Sequence, residues 1–273
     1  MAPGEGDGDL KVWMMTDMEG VAGVLSFDDH ANRGGRWYDL SRKLLTQEVN
    51  AAVDGAFEAG VDEVLVVDGH GVGGVNIEEL DIRARLLSGS PMPLPLGLDE
   101  TFKAAFIVGQ HAMAGTRLGH LSHTESHESI QNVWLNGKKH GELGIIAAMA
   151  GHFKVPTALV TGDRAACLEG KVLIPEVEAV AVKEGVSHGA AISVVPAEAR
   201  RLIKEGAKAA LAKSERVRPY TLRSPVELRV EYTEGHKGSA EMMAQKPGAR
   251  KIDARTIRLE GADVLEVLRK WWY

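Results

Sequence analysis

Two carboxylates follow directly on an apolar run near the start of the chain. The run reads VWMMTDMEG over residues 12–20, and its acidic residues are Asp17 and Glu19. Side chains two residues apart on an extended strand point to the same face, so these carboxylates are expected to lie side by side where the strand ends. Such a pair acts either as a structural cap of the strand or as part of a cation site.

Histidines and a further carboxylate lie at other predicted element ends. His70 follows the second apolar strand in VVDGHG, and His111 follows the third in FIVGQHA. Glu142 opens a helix in HGELG, where the helix dipole favours a negative charge. Each of these residues alone has an ordinary structural explanation. Together, two imidazoles and several carboxylates indicate a transition-metal site for Zn, Co, Ni or Fe rather than Mg.

The elements that must position these residues alternate between strands and helices. Short β-branched runs followed by segments of helical periodicity are typical of a parallel α/β sheet. Ligands in such sheets bind in the crevice at the carboxyl ends of the strands, which is where the candidate residues fall. We predict strands over 11–16, 62–68, 104–109, 157–162 and 177–185, with helices over 36–59 and 142–153.

The pattern changes after about residue 185. The remaining chain reads as a strand over 191–195, a charged helix over 197–214, and then strands and helices up to a closing helix. We therefore predict an α/β fold with a largely parallel sheet flanked by helices and a smaller C-terminal α/β domain. The predicted division is a flexible N-terminal extension over 1–9, a metal-binding catalytic domain over 10–187 and the smaller domain over 188–273.

Composition limits the classes of partner. The 273 residues are 44% hydrophobic and carry a formal net charge of −6 without a basic patch, which argues against nucleic acid and anionic membranes as partners. A single cysteine, Cys167, fits a reducing compartment. With no signal-like or membrane-spanning run in view, we expect a cytoplasmic protein. No P-loop pattern or G-x-S-x-G motif is present.

Several motifs in a fixed order resemble a known family. The motifs TDMEG, DGH, GQHA, SHT and GELG occur in that order on an α/β background, and GLDETF, VTGDRAA and LIPEVEAVAVKEG extend the similarity over nearly the whole chain. In this the sequence resembles the DppA-type D-aminopeptidases of peptidase family M55.

The resemblance implies a site with two zinc ions per chain. By position, Asp17 matches the bridging carboxylate, Glu19 and His70 complete one zinc, and His111 with Glu142 completes the other.

The catalytic histidine of the family matches His123, which follows Ser122 in an SH pair. One extra residue nearby leaves His120 as the alternative. The family forms ring-like homo-oligomers, decamers built from pentamers, and the resemblance implies a similar assembly.

The predicted function is hydrolysis of N-terminal residues from short peptides or amino-acid amides by a zinc-dependent aminopeptidase. The resemblance favours D-amino-acid substrates of the D-Ala type. Two alternatives stay open. One is another metal-assisted hydrolase with the same ligands, such as an amidase or phosphoesterase. The other is a non-catalytic assembly protein that metal stabilises, which would bind metal without turnover.

Overall fold

A computed structural model describes residues 10–273 as two β-sheets with helices packed against them. The predicted extension over 1–9 lies outside the described residues. The first sheet contains strands β1 Lys11–Thr16, β2 Glu63–Val67, β3 Ala84–Leu87, β4 Ala104–Gln110, β7 Thr157–Asp163, β8 Glu178–Ser187 and β9 Ala190–Ser193. The second contains β5 Ile130–Leu135, β6 Lys138–His140, β10 Val226–Tyr232, β11 Arg250–Lys251 and β12 Thr256–Gly261.

Six α-helices accompany these strands in the described part of the chain. They are α1 Tyr38–Glu58, α2 Glu142–His152, α3 Arg164–Leu173, α4 Pro196–Ala212, α5 Gly238–Met243 and α6 Val264–Trp272. Short helical turns add Phe27–Ala31, Ser214–Arg216 and Glu234–His236. Within this same part, no helix is long and apolar enough to cross a membrane.

The first sheet is parallel except for the hairpin of β8 and β9. Its strand order is β3, β2, β1, β4, β7, β8, β9. This arrangement confirms the predicted α/β fold with a largely parallel sheet. The chain passes from β1 to β2 on one side and later to β4 on the other, so the strand order reverses at β1. Such a reversal opens a crevice at the carboxyl ends of the strands.

Strand β1 is buried on both faces, and its side chains alternate between two hydrophobic cores. Trp13 and Met15 belong to the core shared with α2, α6 and the second sheet. Val12 and Met14 belong to the core beneath α1 and α4. This period of two is what a strand between two layers requires, and it explains why β1 is apolar from residue 12 to residue 15.

The second sheet is antiparallel, in the order β11, β12, β10, β5, β6. Its strands β5 and β6 come from the middle of the chain, whereas β9 and α4 pair or pack with the first sheet. The two sheets are therefore interleaved in chain order. The division at residues 187 and 188 stays a prediction about domain organisation.

Most predicted elements occur within a few residues of their expected bounds, but five were missed. Strands β3, β5, β6 and β11 and helix α3 carry no prediction above. Strand β6 is three residues long and polar, and β5 pairs on one side with β10, which follows about 90 residues later. That long-range pairing leaves little periodic signal in the local sequence.

Candidate metal centre and active site

The carboxyl ends of three adjacent strands bring four of the predicted site residues together. Asp17 and Glu19 follow β1, His70 follows β2, and His111 directly follows β4. The fifth predicted ligand, Glu142, is the first residue of α2, which the hairpin of β5 and β6 leads into. The cluster therefore lies at the strand reversal of the first sheet and is closed by an element attached to the second sheet.

Close backbone approach fixes Asp17 against β4. The Asp17 amide donates a 2.8 Å hydrogen bond to the Val108 carbonyl. Gly109 has a φ of +80°, and a Cβ there would lie 2.0 Å from the Asp17 carbonyl oxygen. A side chain at Gly109 would be strained and would clash, so the glycine is what permits this spacing.

His70 presents one ring nitrogen to two carboxylates. Its Nε2 lies 2.8 Å from the Ala31 carbonyl oxygen, so Nε2 carries the proton and donates it to that carbonyl. The other nitrogen, Nδ1, lies 3.4 Å from Asp17 Oδ1 and 3.0 Å from Glu19 Oε2. Three electron-pair donors thus converge on one small volume, an arrangement that needs a proton or a metal ion between them.

His111 repeats this arrangement on the other side of Asp17. Its Nδ1 lies 2.9 Å from the Ala112 carbonyl oxygen, and its Nε2 lies 3.1 Å from Asp17 Oδ2 and 3.4 Å from Glu142 Oε1. The two oxygens of Asp17 therefore face different histidines. One carboxylate that faces two sites is the geometry of a bridging ligand.

The pKa values show how strongly these groups interact. Burial alone would lower the pKa of His70, but the charges of Glu19 and Asp17 outweigh burial and raise it to about 12. Burial would also lower the pKa of His111, but the charges of Glu142 and Asp17 outweigh burial and raise it well above its usual value. Burial would raise the pKa of Asp17 and of Glu142, yet the neighbouring His111 holds both below their usual range, that of Glu142 at about 2.

Among the three histidines of the segment 119–129, the structure brings His123 to the cluster. The His123 ring stacks on the ring of His111 with centroids 3.8 Å apart, and its Nε2 lies 3.8 Å from Glu142 Oε1. Its Nδ1 lies 2.9 Å from the Leu121 carbonyl oxygen, which turns the unprotonated Nε2 toward the cluster. Burial and the nearby His111 lower the pKa of His123, so the ring is neutral near pH 7.

The two neighbouring histidines lie elsewhere. His120 is fully buried, and neither of its ring nitrogens has a hydrogen-bond partner among the described residues. His127 stacks on Phe27 with ring centroids 4.2 Å apart and lines a cavity beside the cluster. Neither ring is in contact with the predicted ligands.

Two further polar residues at the cluster were missed from the sequence. Gln110 Nε2 donates a 3.2 Å hydrogen bond to Asp17 Oδ2. The Glu125 backbone N–H donates a 2.6 Å hydrogen bond to Glu142 Oε1, and the Glu125 side chain lines two cavities beside the cluster. Glu125 is exposed to these cavities, but their walls limit its solvation, which together with the charges of Glu142 and Asp17 raises the pKa of Glu125 to about 8. Gln110 stands inside the motif GQHA and Glu125 directly follows the motif SHT, but nothing in their residue types set them apart.

Asp68, which also follows β2, has a structural role. Its carboxylate accepts hydrogen bonds from the backbone N–H groups of Gly73 and Val75 and from the Ser88 hydroxyl, at 2.7, 2.9 and 2.9 Å. These hydrogen bonds fix the backbone of the glycine-rich loop that contains His70.

The donor set fits zinc. Two groups of three residues could each hold a metal ion, because the potential ligand atoms within each group lie within 4.8 Å of one another. One group is Asp17, Glu19 and His111, and the other is His111, His123 and Glu142. Glu19 Oε2 and His111 Nε2 are buried without a geometrically satisfactory hydrogen-bond partner. Buried polar atoms without partners are costly, and a cation among these atoms would satisfy both. Nitrogen and carboxylate ligands in this mixture suit Zn²⁺.

Two cavities of different character meet at the cluster. The smaller has a volume of about 280 Å³ and a mostly polar lining that includes Glu19, His70 and His123. The larger, of about 550 Å³, extends from the cluster to apolar side chains that include Met92 and Ile146. Asp17, Glu125 and Glu142 line both cavities. A bound molecule could therefore span the cluster with a polar end on one side and an apolar group on the other.

Comparisons with known proteins identify relatives of this chain. The chain matches the family Peptidase_M55, described as D-aminopeptidase, over residues 10–272. It is 36% identical over 261 residues to a D-aminopeptidase of Bacillus subtilis (strain 168), with 94% of this chain and 93% of the relative covered. A solved structure, the Zn-dependent D-aminopeptidase DppA from Bacillus subtilis, described as a self-compartmentalizing protease, matches with a TM-score of 0.91 and 33% identity over 96% of both chains.

Proposed function

We propose that this chain, which belongs to the Peptidase_M55 family of D-aminopeptidases, is a zinc-dependent aminopeptidase acting on short peptides or amino-acid amides. The family resemblance inferred from the sequence motifs is confirmed, and so is the peptidase activity that it implies. The observation that carries the proposal is the pair of histidines, His111 buried and His70 half-buried, whose free ring nitrogens face opposite oxygens of Asp17.

The proposed metal ligands are the five predicted residues, with two zinc ions per chain. Asp17 would bridge, since its two oxygens face different histidines. Glu19 and His70 would hold one ion, and His111 and Glu142 the other. The relative of known structure is described as Zn-dependent, which supports the choice of metal.

The chemistry divides between the metal and the surrounding residues. Bound zinc acts as a Lewis acid that polarises the scissile carbonyl and lowers the pKa of water. His123 presents a neutral Nε2 to the cluster and can accept or deliver a proton there, because its Nδ1–H is committed to the Leu121 carbonyl. Gln110 holds Asp17 in place through its amide. These roles keep His123 as the proposed catalytic histidine, in place of the fully buried His120.

The cavities support a substrate with a free amino group next to the scissile bond. Glu125 lines the smaller cavity without being one of the proposed zinc ligands, and its carboxyl oxygens would accept hydrogen bonds from the amino group of a substrate there. The larger cavity offers about 550 Å³ with apolar side chains at its far end, a volume within the range of small-molecule pockets. It would take the side chain or the remainder of a short peptide. The family relationship supports D-residues, of the D-Ala type, at the cleaved position.

We propose that the active form is a homo-oligomer, as the self-compartmentalizing relative suggests, with a decamer as the form that the family resemblance implies. Exposed apolar side chains on and beside the edge hairpin of β8 and β9 support an association surface: Val186, Ile192 and Val195 are 52%, 68% and 67% exposed. Light scattering coupled to gel filtration gives the stoichiometry directly, and a monomeric active species would contradict this part of the proposal.

One assay panel tests the enzymatic proposal. The zinc-loaded protein is mixed with D- and L-alanine anilides and with a chromogenic phosphate ester, each also with a chelator. We expect faster release from the D-Ala anilide, no phosphate ester hydrolysis, and loss of turnover when zinc is removed. Phosphatase activity without anilide turnover would favour a phosphoesterase. Zinc binding with no turnover on any substrate would favour a non-catalytic, metal-stabilised protein.

A further inference from the structure

The loop after β1 is wrapped around a buried lysine that the catalytic chemistry does not use. Lys183 lies on β8 and is only 2% exposed. Its Nζ donates a hydrogen bond to the carbonyl of Glu19 and another, of 2.8 Å, to the carbonyl of Val24. One ammonium group thus holds both ends of the loop 19–24, which begins at a proposed zinc ligand.

Other side chains hold the middle of the same loop. Glu48 Oε1, from α1, accepts a 2.9 Å hydrogen bond from the Ala22 amide. Ser193 Oγ, from β9, accepts a 3.0 Å hydrogen bond from the Gly23 amide. The loop is therefore fixed by three separate elements, and Lys183 is the contact that reaches Glu19 itself.

Stability alone does not account for a lysine at this position. Placing an ammonium group in the interior is costly, and apolar residues of similar size are often at least as stabilising. Lys183 forms no salt bridge with any described carboxylate, although Asp163 is its register partner on β7. Its hydrogen bonds go to two backbone carbonyls, which an apolar side chain could not bind. What the lysine supplies is a fixed path for the backbone at Glu19.

We infer that Lys183 is a positioning residue that holds Glu19 in the orientation required to bind zinc. The inference rests on the proposed zinc centre. It predicts a local effect: the ion held by Glu19 and His70 weakens when Lys183 is removed, while the ion held by His111 and Glu142 does not. Removal of groups that support metal ligands typically lowers affinity by about 10-fold to 100-fold.

The test compares Lys183→Met with Lys213→Met. Methionine keeps much of the lysine length but cannot donate to the carbonyls. The control removes a lysine on a different element, whose Nζ makes a 2.6 Å ion pair with Glu178 near the other end of β8. Both zinc affinities are measured by competition with a chromophoric chelator, with Glu19→Gln and Glu142→Gln as references for the two ions. The visible spectrum of the cobalt-substituted protein reports ligand geometry, and thermal unfolding of the metal-free variants reports stability.

We expect Lys183→Met to weaken one ion by at least 10-fold, the same ion that Glu19→Gln weakens, and to change the cobalt spectrum. Lys213→Met should leave both affinities within about threefold of wild type. Unchanged affinities in folded Lys183→Met, or equal weakening of both ions, would overturn the inference. If Lys183→Met does not fold, Lys183→Gln decides in the same assay, because its polar but shorter side chain cannot reach both carbonyls: the ion that Glu19→Gln weakens must weaken at least threefold. A wild-type protein that binds no zinc would instead refute the proposed metal centre.

Discussion

Glu48 is a buried carboxyl whose protonation should make the stability of the protein depend on pH. It is 2% exposed on α1. Its Oε1 accepts a hydrogen bond from the Ala22 amide, while its Oε2 has no hydrogen-bond partner among the described residues. Burial raises the pKa of Glu48 from 4.5 to about 7, against a smaller opposite effect of the Ala22 hydrogen bond and of Lys183. Glu48→Gln keeps the acceptor oxygen and removes the ionisable proton.

The sign and size of the effect follow from linkage. Below about pH 4.5 the carboxyl is protonated in both states, so its ionisation contributes nothing. As the pH rises from 4.5 toward 7, the unfolded state loses the proton first, and the folded state becomes progressively less stable. With 1.36 kcal/mol per pKa unit, the wild type should lose about 2 to 3 kcal/mol relative to Glu48→Gln between pH 5 and pH 8.

Urea unfolding of the metal-free proteins at pH 5 and pH 8 measures this difference. Glu176→Gln, at an exposed glutamate, serves as the control and should change equally little at both pH values. A stability difference between wild type and Glu48→Gln that does not grow with pH would refute the reasoning, because it would show that Glu48 is ionised as readily in the folded state as in the unfolded state.

Three further outcomes are expected at the proposed active site. Asp17→Ala should lose most of both zinc ions in elemental analysis, since its two oxygens face different histidines; retention of either ion at wild-type affinity would contradict bridging. His123→Ala should keep its zinc but lose at least about 100-fold in kcat, whereas His127→Ala should lose little; equal loss in both variants would point to general damage in the segment. Met92→Trp should narrow the larger cavity and lower kcat/KM for a D-Leu anilide at least about 10-fold more than for a D-Ala anilide, and equal changes for the two substrates would place the side chain elsewhere.

The part of the site built on the first sheet could be predicted because its signals are local. Asp17 and Glu19 follow a strand that reads as buried, and so do His70 and His111, although a turn rather than the strand period places Glu19 beside Asp17. Parallel strands end at the same sheet edge, so residues far apart in sequence can be placed together without knowing the register. Glu142 could be placed at a helix start, but its approach to His111 depends on the missed hairpin of β5 and β6.

Contacts that depend on loop paths could not be predicted. Glu125 has a φ of +61° and lies over the cluster only because the segment after His123 turns back on itself. Lys183 reads as one charged residue in a strand, and its burial depends on the loop 19–24 folding over it. The choice between His120 and His123 likewise depends on the three-dimensional structure. Both histidines flank the same turn, but only the His123 ring stacks on His111.

The spacing of Asp17 and Glu19 ties the two functions of β1 together. Trp13 and Met15 share the face of β1 that packs toward α2 and the second sheet. The strand ends at Thr16, Asp17 follows it directly, and the turn after Asp17 brings Glu19 to the same histidine, His70. The register that builds the core therefore also fixes the point at which this turn begins. A one-residue shift in β1 would move the carboxylates to the opposite face and bury Trp13 and Met15 against α1. Folding and metal binding thus select the same register, and a chain that packs its core correctly has already formed most of the site.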